Sequence, residues 1–349
     1  MCQSYKFHTE FCKTDDFVGS RTSNFPVLSS SQTCTVPLSL SPSSSITANL
    51  AVIVILSRGR CGLSRCITYY LMSMAVTDLL IIITAVIFNR IVGIYFPGSI
   101  LFTTPVCSFR IALNYVIMDS SVWLTVTFTI DRFVAICCQK LKIKYCTEKT
   151  AGRVIGIVPI MSCLKYTFQY FIYEPLYIIN DIPWFCKIKL AFYTSNAWIA
   201  YDWIRRILNP CLPFILILLL NALTVRHILA ASGARRRLRA HSNGETQSDP
   251  EMERRRNSII LLFCISGSFV LLYLLRLINF LLVRIAKFSY FSGTNFSESN
   301  YILDQSGYMF ELLSSCVNPF IYAGTQGKFR EELQNGVKYV LSLIVKLLK

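Results

Sequence analysis

Ionisable and amide side chains stand in this chain where the neighbours on both sides are apolar. Asp78 lies in SMAVTDLLIII, Asp131-Arg132 in LTVTFTIDRFVAICC, Asn318-Pro319 in SSCVNPFIYAG and Asn49 in TANLAV. A charge held away from water is costly unless something pairs with it, so each marks a candidate functional site. An Asn-Pro step inside a helix also frees a backbone carbonyl, which a neighbour must satisfy. Arg110, Asn114, Tyr115, Met118 and Asp119 recur at helical spacing, with Asn114, Met118 and Asp119 expected to face neighbouring helices. No nucleophile with a base and an orienting group accompanies these residues, so the pattern does not describe an enzyme. His8, His227 and His241 are the only histidines, and no paired cysteines complete a zinc set. No cofactor is expected.

The elements that must hold these residues follow from composition. The chain has 349 residues, 53% hydrophobic and only 15% charged, against about 25% charged in an ordinary soluble domain. Its mean hydropathy is +0.48 while its net charge is +16. Disorder, collagen and a disulfide-stapled miniprotein are excluded. Nucleic-acid binders are usually rich in charge of both signs, so no nucleic-acid partner is expected. High apolar content with scarce, lopsided charge points to a multi-pass membrane protein. Of the 14 cysteines, Cys163, Cys211, Cys264 and Cys316 lie inside apolar runs as small hydrophobes.

A bilayer core needs about 20 apolar residues per helix. Six runs qualify, near residues 68–92, 105–138, 152–179, 207–230, 257–286 and 302–323. A seventh, Ile46 to Leu56, is about half a span and follows the poor helix material PLSLSPSSS. The fold class expected is an all-α membrane protein, a seven-transmembrane helix bundle with a short amphipathic eighth helix. With residue 1 outside, lysine and arginine crowd the inner loops: Arg58, Arg60 and Arg65, then Lys140 to Arg153, then Arg235 to Arg239 and Arg254 to Arg256. The tail from Gln326 is basic and amphipathic, suited to lie on the inner lipid surface. Ser232 to Pro250 reads as a flexible loop. The N-terminal residues carry no signal-peptide core, and no internal repeat supports a transporter built of duplicated halves.

Asn49, Asp78, Cys107, Asp131-Arg132-Phe133, Pro213 and Asn318-Pro319-Phe320-Ile321-Tyr322 resemble, in order and spacing, the one-per-helix landmarks of rhodopsin-like (class A) G-protein-coupled receptors. More narrowly, SVWLTVTFTIDRFVAI (121–136) and KFREEL (328–333) resemble the G-protein coupled receptor 139-like orphan group. The resemblance implies a plasma-membrane receptor with its N-terminus outside. Such a receptor binds an extracellular small molecule or short peptide and activates a heterotrimeric G protein. It implies that Asp131, Arg132 and Phe133 serve coupling, with Asn318, Pro319, Tyr322 and Tyr273 in the activation path. It implies a sodium site at Asp78, Ser121, Ser315 and Asn318, for which a plain polar knot is the competing reading. A bridge between Cys107 and Cys186 is implied as well.

For the ligand pocket the resemblance points to Arg110, Asn114, Met118, Asp119, Arg276, Asp304, Tyr308 and Glu311. Asp119, Glu311 and Arg276 stand either as an internal ion-pair network or as ligand contacts. Asn114 occupies the place where amine receptors carry an aspartate, so amine ligands are disfavoured. Tyr273 and Leu275 replace the sixth-span Trp and Pro, Asn221 replaces a fifth-span Tyr, the fourth span lacks its Trp, and Gln139-Lys140 replace a Pro-Leu pair. A non-coupling, degenerate receptor is therefore the alternative, and a transporter a more distant one. Asn295-Phe296-Ser297 is the only glycosylation sequon. The chain divides into an extracellular segment 1–45, a receptor domain 46–323 and a cytoplasmic helix and tail 324–349. Residues 1–45 do not look like the outer half of a membrane helix, so either that segment is foreign to the bundle or the first helix is short, tilted or half-inserted.

Overall fold

The computed structural model describes residues 42–239, 250–285 and 299–347. Eight principal helices occupy most of them: α1 (Pro42–Ser57), α2 (Arg65–Ile81), α3 (Thr104–Cys137), α4 (Glu148–Tyr166), α5 (Leu212–Arg239), α6 (Pro250–Ile285), α7 (Ser299–Thr325) and α8 (Gly327–Leu347). Local chemistry starts several of them. Ser64 caps α2 by accepting from Ile67 N at 3.4 Å, and Thr147 caps α4 by accepting from Thr150 N at 3.2 Å. Pro105 sits in the first turn of α3, where a missing N–H costs nothing.

α3 is the axis of the bundle, packing on α2, α4, α5 and α6, while α1 packs on α2 and α7. Its 34 residues make it about 51 Å long, enough to cross a bilayer with turns to spare. Five helical stretches among the described residues are long and apolar enough to cross: Arg65–Tyr95, Thr104–Cys137, Glu148–Ile172, Asn196–Ser232 and Arg256–Leu282. α1 is apolar but shorter, and α7 is interrupted by Asp304, Gln305 and Glu311. A core at the lysine- and arginine-rich end, here called the basic end, unites Leu56, Leu71, Leu124, Phe128, Leu261 and Tyr322.

Several boundaries differ from the sequence expectation. α1 begins at Pro42, so the serine-rich run that reads as poor helix material supplies its first turn. Tertiary contact overrides propensity there: Ser45 is buried and donates to Cys316 Sγ of α7 at 3.1 Å. The fourth span, expected to reach residue 179, ends as an α-helix at Tyr166 and tightens into a 3₁₀ stretch over Thr167–Ile172. The apolar residues beyond it form two antiparallel pairs, β1 (Tyr173–Glu174) with β4 (Lys187–Ile188) and β2 (Tyr177–Ile179) with β3 (Ile182–Trp184). Asn180 and Asp181 turn the hairpin with φ of 51° and 58°, the left-handed geometry such side chains tolerate.

The fifth span begins before residue 207. A helix over Asn196–Arg206 leads through a wide-turn segment, Ile207–Cys211, into α5. Asn209 leaves helical geometry (φ −158°, ψ 116°) because the following Pro210 disfavours it. The loop expected from Ser232 is helical to Arg239, and residues 240–249 lie outside the described residues. Asn295 lies outside them as well, as do residues 1–41. Gly62, at φ +66°, closes the turn between α1 and α2; a side chain there would stand 3.0 Å from Lys328 Cδ, which brings α8 against this turn.

Candidate functional site

Three polar clusters lie along the bundle, one at each end and one in the middle. At the basic end Arg132 is buried on α3 and paired with Asp131, with Nε to Oδ2 at 3.0 Å. Its Nη1 also donates to Ser258 Oγ of α6 at 3.4 Å. The second oxygen of Asp131 accepts from the Cys66 thiol at 3.3 Å, and its backbone carbonyl accepts from Cys146 at 3.5 Å. Burial, with the Asp131 charge behind it, pushes the Cys146 thiol up to about 11, so it stays protonated and donates. Phe133 is half-buried beside this pair. Gln326, at the start of α8, donates to the Asn257 carbonyl of α6 at 3.4 Å, a second thread between α6 and its neighbours. A cleft of 480 Å³ opens beyond α3, lined by Cys137, Cys138, Lys140, Leu141 and His227.

The middle cluster gathers Asp78, Ser121, Ser315 and Asn318. The Asp78 carboxylate is buried and accepts from Asn318 Nδ2 at 2.7 Å, from Ser121 Oγ at 3.3 Å and from the Ser315 hydroxyl. Pro319 cannot donate to the Ser315 carbonyl four residues earlier, and Asn49 Nδ2 of α1 does so at 3.1 Å. Asn49 is thus held by the helix break that Asn318-Pro319 creates. Its Oδ1 is buried with no donor among the described residues, so the cluster carries an acceptor surplus. Above it Tyr273 is buried and stacked on Phe269, centroids 4.4 Å apart. Asn221, in the place of a tyrosine, donates to Ser266 Oγ of α6 at 2.8 Å. α6 runs unbroken through Leu275. Tyr322 is buried near the basic end, edge-on to Phe329, its hydroxyl without a partner among the described residues.

The opposite end is closed by the disulfide between Cys107 and Cys186, which ties the β-hairpin segment to α3. Arg110 lies over the Phe102 ring at 4.9 Å and donates to the Phe88 carbonyl at 3.3 Å. Asn114 accepts from Thr84 Oγ1 at 3.1 Å, and Met118 packs with Tyr308. Arg276 donates to Glu311 at 3.0 Å and to Asp304 at 2.9 Å, and lies over the Tyr308 ring at 5.8 Å.

Asp119 does not join Arg276 and Glu311, which corrects the single network considered from the sequence. It pairs with Lys165, and accepts from Ser162 at 2.8 Å and from Asn209 at 2.9 Å. Five residues along a helix is about 140° of rotation, so Asp119 points to α4 and the 207–211 segment when Asn114 faces Thr84, on the 82–91 segment that continues α2. Lys165 and Asn209 carry this geometry and are not among the residues the sequence pattern singles out; an isolated charge inside an apolar run is the available signal for Lys165. Replacing Asp119 with alanine strands the Lys165 ammonium among buried groups and is expected to cost about 3–5 kcal/mol. Thermal unfolding of purified protein checks this, and the Asp119→Ala/Lys165→Met double variant should recover most of the loss.

Residues 48–322 match the family model described as "7 transmembrane receptor (rhodopsin family)". The FMRFamide receptor of Drosophila melanogaster is 27% identical over 206 residues, which is 55% of this chain and 37% of that receptor. The Dopamine D2-like receptor of the same fly is 27% identical over 178 residues, 50% of this chain and 18% of that receptor. The chain therefore matches well under half the length of either relative. Members of the matched family are receptors and not enzymes. Buried landmarks on α1, α2, α3, α5 and α7, a disulfide on α3 and a match over residues 48–322 leave one assignment: the chain belongs to the rhodopsin family of seven-transmembrane receptors.

Proposed function

We propose that this chain is a plasma-membrane receptor, its N-terminus outside, that binds an extracellular small molecule or short peptide and activates a heterotrimeric G protein. The observation that carries the reading is Arg132, buried at the basic end of α3 and held between Asp131 and Ser258 of α6. Moving α6 outward breaks the Ser258 contact and opens a cavity in which the guanidinium meets the carbonyl-rich end of a Gα helix. The basic loops favour the same end, since acidic partners and anionic lipid both meet lysine and arginine there. The apolar residues Val337, Leu341 and Val345, exposed on α8 among Lys338 and Lys346, suit that helix to the lipid surface. The motifs at 121–136 and 328–333 favour membership of the G-protein coupled receptor 139-like orphan group. The domain division is 46–323 for the receptor body, with Pro42–Ser45 entering α1 from the preceding segment.

Asp78, Ser121, Ser315 and Asn318 would hold a sodium ion. One carboxylate, two hydroxyls and amide oxygens suit a hard cation, and the donor-free Asn49 Oδ1 leaves an acceptor surplus for it. Bound sodium would stabilise the resting bundle. Exchanging choline for sodium is expected to raise the unfolding midpoint of the purified chain, and Asp78→Asn should abolish the difference. Equal shifts in both would leave the polar-knot reading standing.

The competing reading, a receptor that folds without coupling, is motivated by Tyr273 and Leu275 on α6 and Asn221 on α5; with leucine at 275 in the place of proline, α6 runs unkinked. A screen of extracellular ligands against several Gα subunits separates the two. Ligand-driven G-protein dissociation supports coupling. Surface-expressed protein that drives none of them supports the alternative.

A further inference from the structure

The end of the bundle closed by the disulfide carries an excess of positive charge. Arg90 stands on the wide-turn segment Ile82–Ile91 that continues α2, Arg110 on α3, Arg205 and Arg206 in the last turn of the 196–206 helix, and Arg276 on α6. The carboxylates that pair with Arg205, Arg206 and Arg276 are Asp202, Asp304 and Glu311; with Lys165, Lys187, Lys189, Asp119, Glu174 and Asp181 counted as well, eight cations face six carboxylates among the described residues of this end. Asp202 takes Arg205 at 2.7 Å and Arg206 at 2.9 Å. Asp304 takes Arg276 and Asn279, and Glu311 takes Arg276.

Arg90 is different. Its guanidinium donates to the neutral Gln305 Oε1 at 3.4 Å and lies 5.6 Å from the Tyr308 ring centroid, opposite no carboxylate among the described residues. Arg276 approaches the same ring at 5.8 Å, so two guanidinium groups lie within reach of Tyr308. A half-buried arginine presents a planar fork of N–H groups, and its natural complement is a carboxylate held by two parallel hydrogen bonds. An aromatic face beside the fork favours a ligand whose carboxylate adjoins an apolar or aromatic body. A cationic ligand would find both α7 acids occupied by Arg276 and would add to an existing positive excess.

We infer that the ligand this receptor recognises carries a carboxylate, that Arg90 is its anchor, and that Tyr308 packs against the body beside it. The inference rests on the receptor reading for its biological meaning, but its test needs no G protein.

Purified full chain is titrated at constant ionic strength with benzoate, benzamide and benzylamine, three probes of one shape and different charge, following the unfolding midpoint. A fragment of this size binds weakly, with a Kd of about 1–10 mM. At ten times that Kd, benzoate is expected to raise the midpoint by about 2–4 °C, with the amide and amine well below it. Arg90→Gln should abolish the benzoate shift, and Arg90→Glu should transfer the preference to benzylamine. Benzamide or benzylamine stabilising the unaltered chain as much as benzoate overturns the proposal, as does a benzoate shift that survives in Arg90→Gln. Should that variant not fold, the ranking of the three probes on the unaltered chain decides alone. Failure here leaves G-protein coupling untouched, and a receptor that binds benzoate yet drives no Gα subunit would sink only the coupling claim.

Discussion

Exchanging Cys107 or Cys186 for serine is expected to reduce the receptor at the cell surface several-fold. Both cysteines are buried, and their bond closes a loop with a sequence separation of 79. Removing such a crosslink frees the unfolded chain and costs about 4 kcal/mol in the loop-entropy account. A domain stable by about 5–15 kcal/mol cannot lose that much without a larger unfolded fraction, which quality control removes. The loss is also local. The bond holds the hairpin segment against α3, where Thr104 Oγ1 donates to the Phe185 carbonyl at 2.7 Å and Phe185 N donates to the Phe102 carbonyl at 2.6 Å. Without it those contacts must hold two short antiparallel pairs alone, and short hairpins are marginal in isolation. Surface labelling of intact cells checks the result. Cys163→Ser, at an exposed α4 position, is the control and should reach the surface normally.

Arg132→Ala is expected to lower G-protein coupling at least 30-fold per receptor at the surface. Removing one member of a buried, hydrogen-bonded charge pair at an interface costs about 2–5 kcal/mol, which is about 30- to several-thousand-fold in an equilibrium. Part of that cost falls on folding, because Asp131 is left with the Cys66 thiol as its remaining side-chain donor. Coupling must therefore be normalised to surface expression, and Arg132→Lys separates charge from geometry. A lysine keeps the positive charge but not the fork that reaches Asp131 and Ser258 together, so partial recovery is expected. Normal coupling in Arg132→Ala would remove this residue from the interface.

The middle of the molecule was the part most legible in the sequence. Asp78, Asn318 and Asn49 sit in apolar surroundings where an unpaired polar group is too costly, so each had to find the others. The Asn318-Pro319 step even indicates which carbonyl needs a donor, and Asn49 supplies it. Elsewhere the pattern is ambiguous for physical reasons. The apolar run after Tyr166 continues the hydrophobicity of a membrane helix, and a short apolar run fits a strand as well as a helix. Pro175 and the Asn180-Asp181 turn resolve it towards the hairpin. Local propensity misleads at α1, where Ser43 to Ser45 enter a helix because α7 buries Ser45. The direction of Asp119 follows from helix rotation, but nothing in the sequence names Lys165, a lone charge in an apolar run, as its partner. The same holds for Arg90, an arginine near the end of a span, whose meaning depends on Tyr308 and Gln305 from α7.

The proposed function requires the bundle to pass a signal from the disulfide end to Arg132. The direct test is guanine-nucleotide exchange by representative Gα subunits of each class, catalysed by the purified full chain in lipid nanodiscs containing anionic lipid. Faster exchange is expected on at least one class, rising with a ligand that stabilises the chain and falling to the uncatalysed rate in Arg132→Ala. Folded, disulfide-bonded protein that accelerates none of them with such a ligand bound, or acceleration undiminished in Arg132→Ala, would contradict the proposed function.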